Sequence, residues 1–547
     1  MEPVNRRSWK WVLVVAVVSV ALSSIPYAVG YLRQTPDIFI GAVYDYQDYY
    51  SHLAKMQQGV RGEWRYHILF TPEDHEGACI NLFYLALGHL SAAMRLSPML
   101  VYHLARPLCA LVLLLVAYAF IGYFVDDRKT RAIAYVLVCF SSGLGWLVLL
   151  TSRSFTLGGI TPVDFWLIEM YTFFTILTFP HTCLAQAAHL LAFLWMVQFL
   201  RGEARWRSWL PAVGATLILS IVHPYSLLPL NVSLAAYWLY LASRQRDRIV
   251  SRLFWLLGFA LLPLPWVAYS YLSISANPVF SAWQAQSYTL SPPPLHYLLG
   301  YGMVLGLAAW GAVSVLRKKR EGSVALVLWP VIVAPLLYLP LIFNLQRRMI
   351  EGVHVPLSTL AAMGLRYGLL PSLRRSPLAG WMAGFGYPRH RFGWLAERGI
   401  VALTTISTWY LLASLTMAAA IGNDALYLTS SEVTAVDWLG RHTSSDDVVL
   451  SSYAIGGYIP ARTGHRVFWG HWAESIYLPE KRAQAHAFYG GSEMLERRTF
   501  LARYDIQYVF YGPRERDLGG LDPWAIAYLE PVFSSGEVVV YRVDLGG

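Results

Sequence analysis

Charged residues and cysteines are both scarce in this sequence of 547 residues. Asp, Glu, Lys and Arg together make up 14% of it, whereas soluble domains contain about 25% charged residues. Hydrophobic residues make up 56% of the chain, and its mean hydropathy is +0.42. The shortage of charge argues against a soluble protein and indicates that most of the chain lies in a lipid bilayer.

The cysteines have no spacing that is typical of a zinc site or a redox motif. Neither Cys-x-x-Cys nor a Cys/His zinc pattern occurs, and the four positions are Cys79, Cys109, Cys139 and Cys183. We expect Cys109 and Cys139 to be buried thiols in helices. A disulfide between Cys79 and Cys183, both predicted near the outer face, is the less favoured alternative, because sequence does not show whether two thiols are close.

Basic residues outnumber acidic ones and give a net charge of +10. They occur in short clusters between apolar segments, as in the cytoplasmic loops of membrane proteins. The last stretch, 422–547, is mildly acidic, so the excess positive charge belongs to the membrane part. We therefore expect a lipid bilayer, and no nucleic acid, as a partner. The first apolar segment is long and has no clear cleavage site after it, so we expect it to be retained.

About eleven segments are long and apolar enough to cross a membrane, which takes about 20 residues. They lie near 11–31, 101–125, 131–151, 182–200, 208–224, 226–243, 253–272, 298–316, 323–343, 352–370 and 401–421. The segment 79–96 is apolar but contains His89 and Arg95, so we predict an interfacial or re-entrant helix there. We find no internal repeat and no low-complexity linker.

The basic clusters predict how the chain is oriented. They lie at Arg6, Arg7 and Lys10, and within 128–131, 201–207, 244–252, 317–320 and 374–398. All fall on one side of the membrane if the N terminus is cytoplasmic, as the positive-inside rule requires. This orientation places Asp45 and residues 422–547 outside the cytoplasm.

The C-terminal region has the pattern of a small α/β domain. Strands are predicted at 447–450, 506–511 and 538–543, and helices at 432–441, 479–488 and 493–504, the first capped by Ser430 or Ser431. The sequence thus predicts a mainly α, polytopic membrane protein with a small C-terminal α/β extracytoplasmic domain. Its two predicted domains are a transmembrane module, 1–421, and an extracytoplasmic domain, 422–547.

Two carboxylates follow the first predicted span, in the stretch Tyr-Asp-Tyr-Gln-Asp-Tyr-Tyr at 44–50. Ionisable groups beside lipid are costly to desolvate and for that reason are more often functional. Asp45 is the candidate general base, taking the proton of an attacking hydroxyl; a helix cap or a loop acid is the alternative. Asp48, three residues on, would share a helical face with it and orient an acceptor, bind a metal or face solvent.

Further polar residues gather in other outer loops. Arg347 and Arg348 break the positive-inside pattern, and guanidinium groups bind phosphate oxygens in a planar fork; pairing with lipids or acidic neighbours is the alternative. Glu73, Asp74 and Glu76 would supply oxygen ligands to a divalent cation or form a solvated loop. His75 would donate to a phosphate or lie at the surface. The remaining candidates for a substrate cavity are Asp164, His181 and His223, beside Glu169; their alternatives are a helix start for Asp164 and structural roles for the histidines.

The motif at 44–50 resembles one found in the GT-C superfamily of polyprenyl-phosphate-dependent glycosyltransferases. Its mannosyltransferase and aminoarabinose-transferase branch carries Asp-Glu-Ala-x-Tyr before a short helix ending near Ala-x-x-Met. Here Asp45-Tyr46-Gln47-Asp48-Tyr49-Tyr50 leads to Leu53-Ala54-Lys55-Met56. The register on Met56 places the family's catalytic aspartate at Asp45. Tyr46 replaces the family's usual glutamate, and Asp48 would compensate for that loss.

The resemblance implies a bacterial cell-envelope enzyme that transfers a sugar from a polyprenyl phosphate to a glycan, lipid or protein acceptor, usually with inversion. Arg347 and Arg348 would hold the leaving phosphate, and His75 would replace a lysine of the family's Lys-Pro-Pro-Leu type motif. His471 and Trp472 would line an acceptor surface, with domain packing as the alternative. No cofactor is certain, and a divalent cation is possible. The competing class is a transporter or flippase for a lipid-linked saccharide, which the lack of repeats disfavours.

Overall fold

The computed structural model describes residues 6–34, 36–203, 205–244, 249–317, 321–339, 344–491 and 494–546. Most of them are helical. The helices are α1 (Arg6–Leu32), α2 (Tyr46–Val60), α3 (Leu82–Met94), α4 (Pro98–Phe124), α5 (Arg128–Phe140), α6 (Gly145–Thr151), α7 (Thr172–Thr178), α8 (Pro180–Arg201), α9 (Arg205–Val222), α10 (Leu227–Ala242), α11 (Ile249–Leu261), α12 (Leu264–Ala276), α13 (Pro278–Gln286), α14 (Pro294–Arg317), α15 (Glu321–Leu336), α16 (His354–Gly364), α17 (Leu370–Arg375), α18 (Pro377–Gly384), α19 (Arg389–Leu403), α20 (Ile406–Ile421), α21 (Ser430–His442), α22 (Tyr453–Thr463), α23 (Leu478–Gly490), α24 (Met494–Arg503) and α25 (Pro513–Arg516).

The strands are short and few. They are β1 (Ile38–Phe39), β2 (Tyr427–Leu428), β3 (Val448–Leu450), β4 (Arg466–Val467), β5 (Ile506–Tyr511), β6 (Leu529–Ser535) and β7 (Val538–Val543). Single turns of 3-10 helix lie at Val163–Phe165, Ile168–Met170, Pro224–Ser226, Gln346–Ile350 and Pro523–Ala525, and a π-helical turn, Leu365–Leu369, follows α16.

Several helices are suited to a membrane, and the chain is a multi-pass membrane protein. Within the described residues, five helices are long and apolar enough to span it, or up to seven if each of two bent pairs counts as one span. Every predicted span coincides with one or more helices, but the number eleven stays a prediction. The predicted ninth span ends in residues 340–343, which lie outside the described residues. The basic clusters at 244–252 and 317–320 are also described only in part, because residues 245–248 and 318–320 lie outside the described residues.

The chain divides into two compact units. The first consists of Met1–Ile25, Ala105–Val267 and Thr289–Ser414, and the second of Pro26–Leu104, Ala268–Tyr288 and Leu415–Gly547. The loop after α1 thus belongs to the same unit as the C-terminal residues, and β1 pairs with β2 inside it. The predicted division at residue 422 differs from this one and stays a prediction.

In the first unit, small residues let helices approach closely. A Cβ added at Gly311 of α14 would lie 2.0 Å from the carbonyl oxygen of Leu360 in α16, and one at Gly364 would lie 1.9 Å from that of Leu307. Without a hydrophobic driving force in lipid, helix association depends on such close backbone contact. Glycines also allow α2 and α3 to approach closely in the second unit, where Gly59 of α2 faces the backbone of α3 and Gly88 of α3 faces the backbone of α2.

The second unit contains a five-stranded mixed sheet in the order β4-β3-β5-β7-β6. Strand β3 is parallel to β4 and β5, whereas β7 is antiparallel to β5 and β6. Its buried core includes Leu450, Val509 and Tyr541, packed against α23 and α24 residues. The three predicted strands are confirmed. The sequence missed β4, which has two residues, and β6, in which Pro531 and two serines interrupt the apolar pattern.

One local prediction for this unit, the cap of its first predicted helix, needs correction. Helix α21 is capped by Thr429, not by Ser430 or Ser431, because Thr429 and Glu432 form a reciprocal capping box. The helix predicted from residue 493 begins, within the described residues, at Met494, and residue 493 itself lies outside them. All four cysteines are free thiols, so the less favoured disulfide between Cys79 and Cys183 does not form.

Candidate functional site

Asp45 lies directly before α2 in the second unit and caps it. Its carboxylate accepts a hydrogen bond from the backbone N–H of Asp48 at 3.5 Å, and its backbone has φ 46° and ψ 56°. This left-handed conformation is uncommon outside glycine, although Asp tolerates it better than most residues. The sequence prediction of a shared face depended on a helix through both acids; the helix begins at Tyr46, so Asp45 precedes it and Asp48 lies in its first turn.

Asp48 accepts a hydrogen bond from one aromatic side chain and lies beside a buried histidine. The indole Nε1–H of Trp472 donates to Asp48 Oδ1 at 3.1 Å, and Nε2 of His471 lies 3.3 Å from the same oxygen. His471 is 3% exposed, and its Nδ1 accepts the backbone N–H groups of Ala473 and Glu474. The ring proton must then reside on Nε2, facing Asp48. His471 is thus a buried partner of Asp48, whereas the sequence led us to expect an acceptor surface.

A buried ion pair lies about two turns further along α2, and no local pattern in the sequence indicates it. Lys55 Nζ contacts Glu474 Oε1 at 2.9 Å, and Ser51 Oγ donates to the same oxygen at 2.7 Å. Burial alone would raise the pKa of the Glu474 carboxyl, but the charges of Lys55 and His471 and the bond from Ser51 hold that pKa below its ordinary value. Glu474 also supplies one of the backbone donors to His471.

The acidic loop at 71–77 is held by ion pairs and hydrogen bonds to basic residues of the C-terminal region, within the same unit. Lys481 Nζ lies 2.6 Å from Glu73 Oε2 and from Thr71 Oγ1, and Arg466 pairs with Asp74 at 2.7 Å. Burial lowers the pKa of Lys481 to about 8, although Glu73 opposes that shift. Glu76 is exposed. Within the described ranges, no cluster of three or more His, Cys, Asp or Glu side chains forms a metal site.

His75 does not have the geometry expected of a phosphate ligand. Its Nε2 accepts the backbone N–H of Ile68 at 2.9 Å, and its Nδ1 lies 2.9 Å from the carbonyl oxygen of Glu73. The carbonyl can only accept, so Nδ1 carries the proton and both ring nitrogens are used inside the loop. Burial lowers the pKa of His75, which favours this neutral form. The geometry gives His75 a role in shaping the loop.

Several other candidates come together in the first unit. Arg347 and Arg348 lie in the turn Gln346–Ile350, their guanidinium groups over the rings of Trp166 (5.1 Å) and Tyr225 (5.7 Å). The Nε atom of each is buried. Stacked guanidinium groups keep their outer N–H groups available for an anion. The predicted arginine pair therefore has a cationic, aromatic-lined setting.

His223 lies beside this pair. Its Nδ1 is 2.8 Å from Glu351 Oε1, and Ser226 donates to the other carboxylate oxygen at 2.5 Å. The ring of His181 contacts that of His223, with centroids 5.0 Å apart. Arg348 and Glu169 are close enough to act electrostatically on His223. The loops after α7, α9 and α15 thus converge within the unit, as the predicted common side requires.

Asp164 is a buried structural acid in the same unit. It is 3% exposed, and its Oδ1 accepts the backbone N–H of Gly143 at 2.6 Å. Burial raises the pKa of Asp164 to about 7. It borders a small, partly open space that is also lined by Gly145, His296 and Gly300. The structure places Asp164 at the break between α5 and α6, where it holds the bend.

No protein-family description and no curated protein matches the sequence, but solved structures match the fold. The aminoarabinose transferase ArnT from Cupriavidus metallidurans, in its apo state, is 11% identical with a TM-score of 0.54, and the match covers 99% of each chain. The archaeal oligosaccharyltransferase AglB from Archaeoglobus fulgidus, solved with an inhibitory peptide and a dolichol-phosphate, is 13% identical with a TM-score of 0.53. That match covers 92% of this chain and 70% of AglB.

A third match is the arabinofuranosyltransferase AftD from Mycobacteria, at 17% identity and a TM-score of 0.51. It covers 98% of this chain but only 42% of AftD. All three are GT-C glycosyltransferases, and the similarity extends over nearly the whole length of this chain. Identities this low show the fold and no more. The protein is a multi-pass membrane protein with the GT-C fold.

Proposed function

We propose that this protein is a membrane glycosyltransferase that moves a sugar from a polyprenyl-phosphate donor to an acceptor on the extracytoplasmic side, with Asp45 as general base. The observation that carries the proposal is the position of Asp45 in a GT-C fold. It is an acid with a left-handed backbone at the start of α2, in the connection that follows the first apolar helix and β1. Uncommon backbone conformations concentrate at functional sites.

In the proposed reaction, an acceptor hydroxyl attacks the anomeric carbon of the donor sugar. The bond from that carbon to the phosphate oxygen breaks, its electron pair leaves with the polyprenyl phosphate, and Asp45 takes the hydroxyl proton. Attack opposite the leaving group inverts the anomeric centre. Within the first unit, Arg347 and Arg348 carry planar guanidinium groups of the kind that binds phosphate oxygens, and they are the proposed ligands of a donor phosphate.

Asp45 is a better candidate for the base than Asp48. Asp48 accepts the indole N–H of Trp472, and Nε2 of His471 lies 3.3 Å from the same oxygen. These contacts hold the Asp48 carboxylate in one position in the first turn of α2. Asp48 therefore suits a role in orienting the acceptor, with a fixed charge beside the base. The acceptor is a glycan, a lipid or a protein that presents a hydroxyl from the outer side.

The test exploits the fact that Asp45 also caps α2. Asn is about as good an N-cap as Asp, so Asp45→Asn keeps the cap and removes only the base. We measure sugar transfer from radiolabelled polyprenyl-phosphate sugars to membrane acceptors in proteoliposomes. Loss of a general base lowers the rate by roughly 100-fold to 10,000-fold.

Asp45→Ala and Asp48→Asn are the matched comparisons. Asp45→Ala loses the cap as well, at about 1 kcal/mol, so it should be less stable than Asp45→Asn and equally inactive. Asp48→Asn should retain more transfer than Asp45→Asn. Full transfer by Asp45→Asn would leave Asp45 as a cap alone. If the wild type moved lipid-linked saccharides between leaflets but transferred no sugar from any donor, the protein would be a transporter or flippase instead.

A further inference from the structure

The segment from α17 to α19 in the first unit has an exposed face that combines aromatic side chains with arginines. Leu378 and Trp381 of α18 are 53% and 61% exposed, and Phe385, just after it, is 74% exposed. Trp381 and Phe385 contact each other, with ring centroids 4.8 Å apart. Three large apolar groups at a spacing of three and four residues form one continuous stripe.

Arginines surround this stripe. Arg375 ends α17, and Arg389 and Arg391 lie in the first turn of α19; all three are exposed. Arg398 stacks on the exposed Trp394 at 3.7 Å. Residues 371–400 contain five arginines and one acid, Glu397. That acid pairs with Arg366 at 3.0 Å, so it does not offset the exposed arginines.

The segment also leads directly into a predicted span. Helix α19 continues through a bend of 42° into α20, and together the two are long and apolar enough to cross a membrane. The arginine-bearing first turn of α19 is therefore at the end of a span, at the level of the lipid headgroups. An apolar stripe beside cationic groups at that level is the pattern of a helix lying in the bilayer interface.

We propose that α18 and the first turn of α19 form a docking surface for anionic lipid headgroups of the bilayer that α19 and α20 enter. Leu378, Trp381 and Phe385 insert at the boundary of the acyl chains, and Arg375, Arg389 and Arg391 bind lipid phosphates. The orientation expected from the basic clusters makes this the cytoplasmic leaflet, which carries the anionic lipids. The proposal is independent of the proposed enzyme activity.

The experiment uses the full-length protein in nanodiscs of phosphatidylcholine alone or of phosphatidylcholine mixed with phosphatidylglycerol. Hydrogen–deuterium exchange of peptides within 377–391 is followed by mass spectrometry. We expect slower exchange in the discs that contain phosphatidylglycerol. The difference should shrink at high salt, which screens exposed charges.

The variant Arg375→Gln, Arg389→Gln, Arg391→Gln tests the cationic part. Each basic side chain near an anionic surface is worth roughly a five-fold change in binding, so removing three should abolish the protection by phosphatidylglycerol. The matched control changes three exposed arginines of the second unit, Arg441, Arg482 and Arg503, to Gln and should keep it. Trp381→Ser with Phe385→Ser should speed exchange in both kinds of disc.

Equal exchange in the two kinds of disc would overturn the proposal. If the segment were protected in both, apolar burial alone would hold it at the membrane. If it were protected in neither, its partner would be a protein. Protection that survives the triple arginine change would also overturn it. Thermal unfolding of each variant in detergent checks that the fold is intact, and transfer activity should be unchanged by the control variant.

Discussion

The ion pair between Lys55 and Glu474 offers the sharpest test of how the second unit is held together. Their side chains are 5% and 4% exposed, and their charged atoms lie 2.9 Å apart. Removing one partner of a buried pair leaves an uncompensated charge and costs about 3–5 kcal/mol. For a unit of about 150–250 residues this corresponds to a fall in Tm of roughly 6–20 °C. The perturbation we choose is Lys55→Met, which keeps the length of the side chain.

The pKa of Glu474 determines in which direction the stability of each variant changes with pH. In the wild type, Lys55, His471 and Ser51 hold the pKa of Glu474 below its ordinary value against the effect of burial. The stability that the carboxylate contributes is therefore present above its unfolded pKa, about 4.3, and is lost as the pH falls through the lower folded pKa. In Lys55→Met, burial is no longer balanced by a cation, so the pKa of Glu474 rises above the unfolded value.

The variant must therefore respond to pH in the opposite direction. Above about pH 5 its buried carboxylate is costly, and protonation relieves that cost as the pH falls. The difference in Tm between the wild type and Lys55→Met should be largest near neutral pH and should shrink towards about pH 4.5. We expect this in thermal unfolding of the purified protein in detergent, followed by intrinsic fluorescence at each pH.

Two further variants complete a double-mutant cycle on Lys55 and Glu474. Glu474→Gln alone leaves the charge of Lys55 without the opposite charge of Glu474. The double variant Lys55→Met, Glu474→Gln has neither charge and should recover most of the lost stability. Ser51→Ala removes the hydrogen bond that Ser51 donates to Glu474 and the one that it accepts from Lys55, and it should cost about 1.5–3 kcal/mol. A Tm difference that is the same at every pH, or single changes whose effects simply add in the double variant, would refute the reasoning.

Three other changes are predicted to have distinct effects. Trp472→Phe removes the indole donor to Asp48 but keeps an aromatic ring. Because a hydrogen bond to a charged group is worth about 1.5–3 kcal/mol, the rate of sugar transfer should fall by about ten-fold or more. The Tm should change little. Lys481→Met takes the cation from Glu73, and limited proteolysis should then cut the loop at 71–77 faster than in the wild type. Burial raises the pKa of Glu515 to about 7, so the folded state keeps a proton that the unfolded state loses near pH 4.3. Wild-type stability therefore falls as the pH rises between those values, and the Tm of Glu515→Gln relative to the wild type should rise over the same range.

The features predicted from sequence are those set by local composition. The spans follow from length and hydropathy, and strands β3, β5 and β7 follow from short apolar runs between polar turns. The common side of Arg347, Arg348, His181 and His223 follows from the placement of basic clusters. Such patterns are carried by neighbouring residues, so they can be read without knowing what packs against them.

The breaks in the helices depend on partners that are distant in the chain. The predicted span at 131–151 is bent by 52° between α5 and α6. Gly143 lies in that break, where an added Cβ would be 2.0 Å from the carbonyl oxygen of Gly300, and its N–H donates to Asp164. A hydropathy profile contains neither contact, so it gives one continuous span.

The roles of the two carboxylates at the start of α2 were separated by contacts that no local pattern contains. Both side chains that contact Asp48, those of Trp472 and His471, come from a loop more than 400 residues further along the chain, and so does the carboxylate that pairs with Lys55. A soluble domain that merely followed the membrane helices would not need to supply buried partners to an earlier loop. Because it does supply them, the C-terminal region is part of the unit that shapes the candidate catalytic acids, and its loop at 470–475 fixes the charge beside Asp45.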